Sequence, residues 1–160
     1  MKKLSIRFGT ILLVLGCFSL FPAAKAVEGA PPIVGLWDVT YTSDFGPQFE
    51  THTQWFSDGL EIDINSLASG AICQGTWKQA AGRAIQLFHV AFTFGLGPCP
   101  GNARLEETQL ITVSFDRNSY DGPYHQKFLD ANGNLVCEDT GTVHATRISV
   151  NQSNTTATNR

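Results

Sequence analysis

Three observations on the sequence predict an all-β chain, an eight-stranded antiparallel up-and-down β-barrel with no C-terminal helix. Stretches of about eight to twelve residues alternate apolar and polar side chains with a period of two, and no window sustains a helical period. Turn signals such as Asp58-Gly59 and Asn132-Gly133 separate them. The connections are too short for crossovers, so consecutive stretches are antiparallel neighbours, and closing the meander removes its two exposed edges. A β-sandwich is the main competing architecture.

The first 26 residues stand apart. Lys2, Lys3 and Arg7 precede an apolar run from Ile11 to Phe21 that is short for a bilayer span, and Ala24-Lys25-Ala26 has the small-x-small form of a cleavage site. Residues 1–26 therefore read as a secretory signal peptide, which makes the chain secreted or periplasmic. In a rival reading Val14-Leu15-Gly16-Cys17 is a lipobox and Cys17 a lipidated N-terminus; bulky Leu15 and the short distance from Arg7 argue against it. Residues 27–150 hold one barrel domain, enough chain for one core. Residues 151–160 form a polar, aperiodic tail expected to be disordered.

Cleavage takes four of the eleven basic residues and none of the fourteen acidic ones, leaving a net charge of −7. An acidic domain with scattered charges is poorly suited to nucleic acid or anionic membranes, and no later segment is apolar enough to span a bilayer.

The strands follow in order. Ile33 to Tyr41 comes first, with Trp37, Val39 and Tyr41 on one face. The others are Gln48–Ser57, Leu60–Asn65, Ala71–Lys78, Arg83–Phe94, Arg104–Phe115, Ser119–Leu129 and Asn134–Val150. The longest loop, Gly95–Asn102, carries Cys99.

Two-residue turns would set the register. A turn at Asp58-Gly59 pairs Trp55 with Ile62 and Thr53 with Ile64. A turn at Arg117-Asn118 pairs Gln109 with Gln126 and Glu107 with Phe128. A turn at Asn132-Gly133 pairs Phe128 with Cys137, Gln126 with Asp139 and Tyr124 with Gly141. Strands six to eight then share one apolar-rich face, taken as the interior. Its open end carries Glu107, Gln109, Gln126 and Asp139, with Trp55, Tyr120 and Tyr124 as aromatic walls suited to orienting a ligand that bears a donor or cation. Should Glu107 and Asp139 lie close and poorly solvated, one would hold a proton and serve as general acid or base.

His52, His89, His125 and His144 lie on four different strands without ligand spacing, so no metal is expected and most are read as surface residues. Asp130-Ala131-Asn132-Gly133-Asn134 is a hairpin turn, since a calcium loop would have Glu where Gly141 stands. No nucleophile elbow, phosphate loop or dinucleotide fingerprint is present, so no cofactor is expected. Cys73, Cys99 and Cys137 remain after cleavage, and all three fall at one barrel end. Cys73–Cys99 is the first choice of disulfide and Cys99–Cys137 the second.

Gly35-Leu36-Trp37 resembles the Gly-x-Trp signature of lipocalins and the wider calycin superfamily, which includes avidin-like proteins. The resemblance implies that Trp37 closes one barrel end with Arg147 packed across it. Asn118-Ser119-Tyr120 stands where lipocalins have Thr-Asp-Tyr, and only the Tyr matches. Without a helix after the eighth strand, the avidin-like layout fits better. The chain also resembles uncharacterised secreted bacterial proteins, which adds no activity.

Three functions are consistent with these residues. The first is a secreted barrel binding a small, largely apolar ligand. The second is a barrel enzyme of the cyclase or isomerase type using Glu107 or Asp139, an expectation by fold analogy alone. The third is a filled barrel acting as a homo-oligomer through the fifth strand, which is apolar on both faces: Ile85, Leu87 and Ala91 on one, Phe88, Val90, Phe92 and Phe94 on the other. The first is preferred.

Overall fold

In a computed structural model, residues 31–66, 72–95 and 99–150 are described; the expected signal peptide, Cys17 and the expected C-terminal tail lie outside them. Eight strands follow in order: β1 (Gly35–Ser43), β2 (Phe49–Trp55), β3 (Leu60–Asn65), β4 (Ile72–Ala81), β5 (Ala84–Phe92), β6 (Arg104–Val113), β7 (Ser119–Leu129) and β8 (Leu135–Arg147). Each pairs antiparallel with its sequence neighbour, and β8 returns to β1 between Trp37↔Arg147 and Ser43↔Gly141, closing the barrel. The expected architecture is the one observed. There is no helix among the described residues, hence none long and apolar enough to cross a membrane.

Period-two alternation sends Trp37, Val39 and Tyr41 inward from β1 and Ile85, Leu87, His89 and Ala91 inward from β5. The lower end is closed by Trp37, whose Nε1 donates to Ile33 O at 2.8 Å and whose ring lies 4.1 Å beneath the Arg147 guanidinium. Arg147 also donates to the carbonyls of Pro32, Val34 and Arg117, tying the segment before β1 to the turn before β7. Gly35 has φ +141°, and a side chain there would run into the Arg147 guanidinium.

Of the three registers expected from two-residue turns, the β7–β8 one is observed: Phe128 faces Cys137, Gln126 faces Asp139 and Tyr124 faces Gly141. A bulge between Phe128 and Leu129 absorbs the longer turn. The β6–β7 pairing is shifted by two, with Glu107 opposite Gln126 and Gln109 opposite Tyr124, because Ser114–Ser119 forms a longer loop. A shift of two keeps the same face inward.

The β2–β3 pairing is shifted by one, and that changes everything on β3. Phe56 N donates to Leu60 O at 2.9 Å, so the loop holds three residues, with Gly59 at φ +90°. Trp55 therefore faces Glu61 and Thr53 faces Asp63, not Ile62 and Ile64. A one-residue slip turns every side chain to the opposite face. Both acids of β3 point into the barrel, and Leu60 and Ile64 point out.

The expected Cys73–Cys99 disulfide is corrected. Cys99 bonds to Cys137 across a Cα–Cα distance of 6.1 Å, and Cys73 is a buried free thiol. Backbone bonds decide this. Thr93 N donates to Ala103 O and Ala103 N to Leu129 O, which draws the end of the long loop toward β7, whose neighbour β8 carries Cys137.

Candidate functional site

The interior is layered. At the lower end Trp37, Val39, Trp55, Ile85, Leu87, Ile111, Val113, Tyr120, Val143 and Ala145 belong to one apolar cluster. At the upper end Cys73, Ala91, Cys99, Leu105 and Phe128 form a second. Between them lies a buried polar layer supplied by six strands: Tyr41, Thr51 and Thr53, Glu61 and Asp63, His89, Glu107 and Gln109, and Gln126. Such a layer interrupts what would otherwise be one continuous core.

His89 is its centre. Its Nε2 lies 3.0 Å from Glu107 Oε2 and its Nδ1 3.4 Å from Glu61 Oε2, with all three side chains no more than 1% exposed. Glu107 is the best-supported carboxylate. Its Oε1 accepts from Gln109 Nε2 at 2.6 Å and from Tyr41 OH at 3.2 Å; its Oε2 accepts from Gln126 Nε2 at 2.6 Å. Gln109 Nε2 also donates to Tyr41 OH at 2.8 Å. Gly75 leaves the space in which Glu61 meets His89: a Cβ there would sit 2.5 Å from Glu61 Oε2 and 2.6 Å from His89 Cβ.

Electrostatics follow from the packing. Burial alone would push the His89 pKa down, but the Glu107 charge and the contacts with Glu107 and Glu61 outweigh it, and the imidazole is held protonated with its pKa well above the usual range. Burial would raise Glu107, yet the His89 charge and the bonds from His89, Gln109 and Gln126 take it below the usual carboxylate range. Glu61 is raised, burial prevailing over His89. Asp63 is pushed up to about 7, chiefly by burial. One imidazolium thus faces three buried carboxyl groups, only one of which is well supplied with donors. Among the described residues Glu61 Oε1, Asp63 Oδ1 and Gln109 Oε1 have no hydrogen-bond partner, while Glu61 Oε2 faces His89 Nδ1 at 3.4 Å.

The residues expected from the sequence are distributed over this interior. Glu107, Gln109 and Gln126 form one hydrogen-bonded set. Asp139 belongs to a neighbouring set, accepting from Tyr124 OH at 3.0 Å and from Ser43 Oγ at 2.8 Å. Tyr41 bridges the sets by packing, its ring 5.1 Å from that of Tyr124. Trp55 and Tyr120 lie lower, ring to ring at 6.1 Å inside the apolar floor. Phe49 is stacked on Tyr41 at 4.6 Å and is partly buried.

Glu61, Asp63 and His89 went unrecognised in the sequence. A signal existed for His89, which shares parity with Ile85, Leu87 and Ala91. None existed for the β3 acids, because Leu60, Ile62 and Ile64 mimic an inward-facing row. Of the other three histidines, His52 and His144 are exposed beside Asp38 and Asp121, and His125 is half-buried beside Glu138. A shallow groove of about 270 Å³ lies on the outer wall, over Thr76, Lys78, Gln86, Phe88 and Thr108, away from the polar layer. No protein-family model matches this chain, and no curated protein matches it.

Proposed function

We propose that this chain is a secreted, calycin-like barrel that binds a small, largely apolar molecule bearing a hydrogen-bond donor or cationic group. The observation that carries this reading is a pair of buried acceptors, Glu61 Oε1 and Gln109 Oε1, that lack a donor among the described residues. Buried acceptors left empty cost on the order of 1–3 kcal/mol each, more when charged, so a donor from outside the chain is the natural complement. Apolar surface above and below the layer suits the rest of the molecule, with Phe128 on one side and Trp55 and Tyr120 on the other. Closure of the lower end by Trp37 and Arg147 supports the calycin reading, and the Cys99–Cys137 bridge is compatible with an oxidising compartment.

Native mass spectrometry of the protein purified from its own host tests this. The expected result is one small molecule per chain, lost on Gln109→Leu or Glu61→Gln. A clean apo mass, with no thermal stabilisation by amphipathic amines, refutes it.

A second reading is favoured by a separate observation. Ile64 and Ile72 face each other across β3 and β4, and with Phe88, Val90 and Phe92 they form an exposed apolar face; Phe92 is 69% exposed. We propose this face as a homo-oligomer contact. Sedimentation of the wild type against Phe92→Glu decides it, and a wild type that stays monomeric at high concentration sinks it.

A further inference from the structure

We propose that Asp63, Cys73 and His89 bind a single divalent cation of the zinc type, through one carboxylate oxygen, the cysteine Sγ and one imidazole nitrogen. Their ligand atoms all lie within 4.8 Å of one another, and all three residues are buried. Adjacent strands supply them. Asp63 on β3 stands directly opposite Cys73 on β4, and His89 on β5 is opposite Gly75, one inward position further along. Three rigid strands therefore aim a hard oxygen, a borderline nitrogen and a soft sulfur at one point, the mixed donor set that suits zinc and its neighbours.

Geometry leaves room for the ion. A triangle with sides of 4.8 Å has its centre roughly 2.8 Å from each corner, so each donor closes by about 0.5–0.8 Å to reach the distances zinc requires. Asp63 Oδ1 is buried with no hydrogen-bond partner among the described residues, the Tyr41 hydroxyl meeting the other oxygen, Oδ2, at 3.5 Å, so Oδ1 is the oxygen available to an ion. The surroundings also match. Both ring nitrogens now face carboxylates, so the ion takes Nδ1 at the expense of the longer 3.4 Å contact with Glu61, while Nε2 keeps Glu107 at 3.0 Å, and a ligating histidine ordinarily holds its other ring nitrogen against a carboxylate. With three carboxyl groups around one histidine, a doubly charged ion does what a second imidazolium would do, without a further buried side chain. Binding releases the Cys73 thiol proton and one imidazolium proton to solvent. Three protein ligands leave a fourth position for water or an external donor.

The inference extends the binding-barrel reading, and its failure is separately visible because no organic ligand is involved in the test. The oxidised protein, free of reductant, is titrated with cobalt(II) and then zinc(II). The expected result is one equivalent per chain, with a thiolate-to-cobalt charge-transfer band that zinc abolishes. Cys73→Ser removes the band and the binding. Glu107→Gln keeps the stoichiometry and weakens it about 10- to 100-fold, as loss of a carboxylate behind a ligating histidine does. The outward-facing His52, His125 and His144 are the adventitious alternative: binding that survives Cys73→Ser, or that lacks the thiolate band, overturns the proposal. Should Cys73→Ser not fold, the wild-type band decides alone, because Cys73 is the only free thiol among the described residues.

Discussion

Gly75→Ala is the smallest change that reaches the polar layer. The added Cβ would lie 2.6 Å from His89 Cβ and 2.5 Å from Glu61 Oε2. Carbon atoms pack best at about 3.5–4.0 Å, so the first contact is about 1 Å too short. Glu61 can swing away, but His89 Cβ is fixed to β5, and relief there requires β4 and β5 to part. Overpacking of this kind costs about 1–3 kcal/mol, and displacing Glu61 from a buried imidazolium adds to it. We therefore expect a loss of about 2–4 kcal/mol. For a domain of this size 1 kcal/mol moves Tm by about 3–6 °C, which puts the fall at about 6–24 °C. Urea denaturation with tryptophan emission measures it, and Gly46→Ala, at an exposed glycine with Ser43 Oγ as nearest neighbour at 3.4 Å, should stay within about 0.5 kcal/mol. A Gly75→Ala protein as stable as the wild type would refute the idea that this glycine makes room for the Glu61–His89 contact.

Peptide mapping under non-reducing conditions should return Cys99 linked to Cys137 and Cys73 unmodified by alkylation until the protein unfolds; a Cys73-containing disulfide would contradict the fold of the long loop. Removing the bridge by Cys99→Ser with Cys137→Ser opens a loop of sequence separation 38, for which chain entropy alone gives a loss of about 4 kcal/mol. Arg147→Lys cannot reproduce three carbonyl contacts and the stack on Trp37, and should cost about 2–3 kcal/mol with a red shift in tryptophan emission; an unchanged spectrum would mean that the lower end is closed some other way. Gly141→Ala would drive its Cβ into the Thr42 backbone carbonyl, which cannot swing aside, as well as against the Tyr124 ring at 2.8 Å, so it should cost about 1–3 kcal/mol in urea denaturation, and adding Tyr124→Phe should recover little of it; full recovery would mean that the carbonyl is not the obstacle.

By itself the sequence determined the parts that rest on local periodicity and on the closure of edges: eight alternating strands, their order, the inward Trp37–Val39–Tyr41 face and the β7–β8 register. Glu107, Gln109, Gln126 and Asp139 could be placed inside because a register error of two residues returns a side chain to its own face. Tertiary structure alone decided the rest. A turn longer by one residue at Gly59 sent Glu61 and Asp63 inward against the apolar pattern of β3, which no local rule reveals. Hydrogen bonds from the long loop to β7 selected Cys137 over Cys73. Residues 61, 75, 89 and 107 are distant in sequence, and only the pairing of β3, β4, β5 and β6 in one register sets a histidine, two glutamates and a bare glycine side by side inside the closed barrel. Period and composition are properties of a segment, whereas a buried charge cluster is a property of closure.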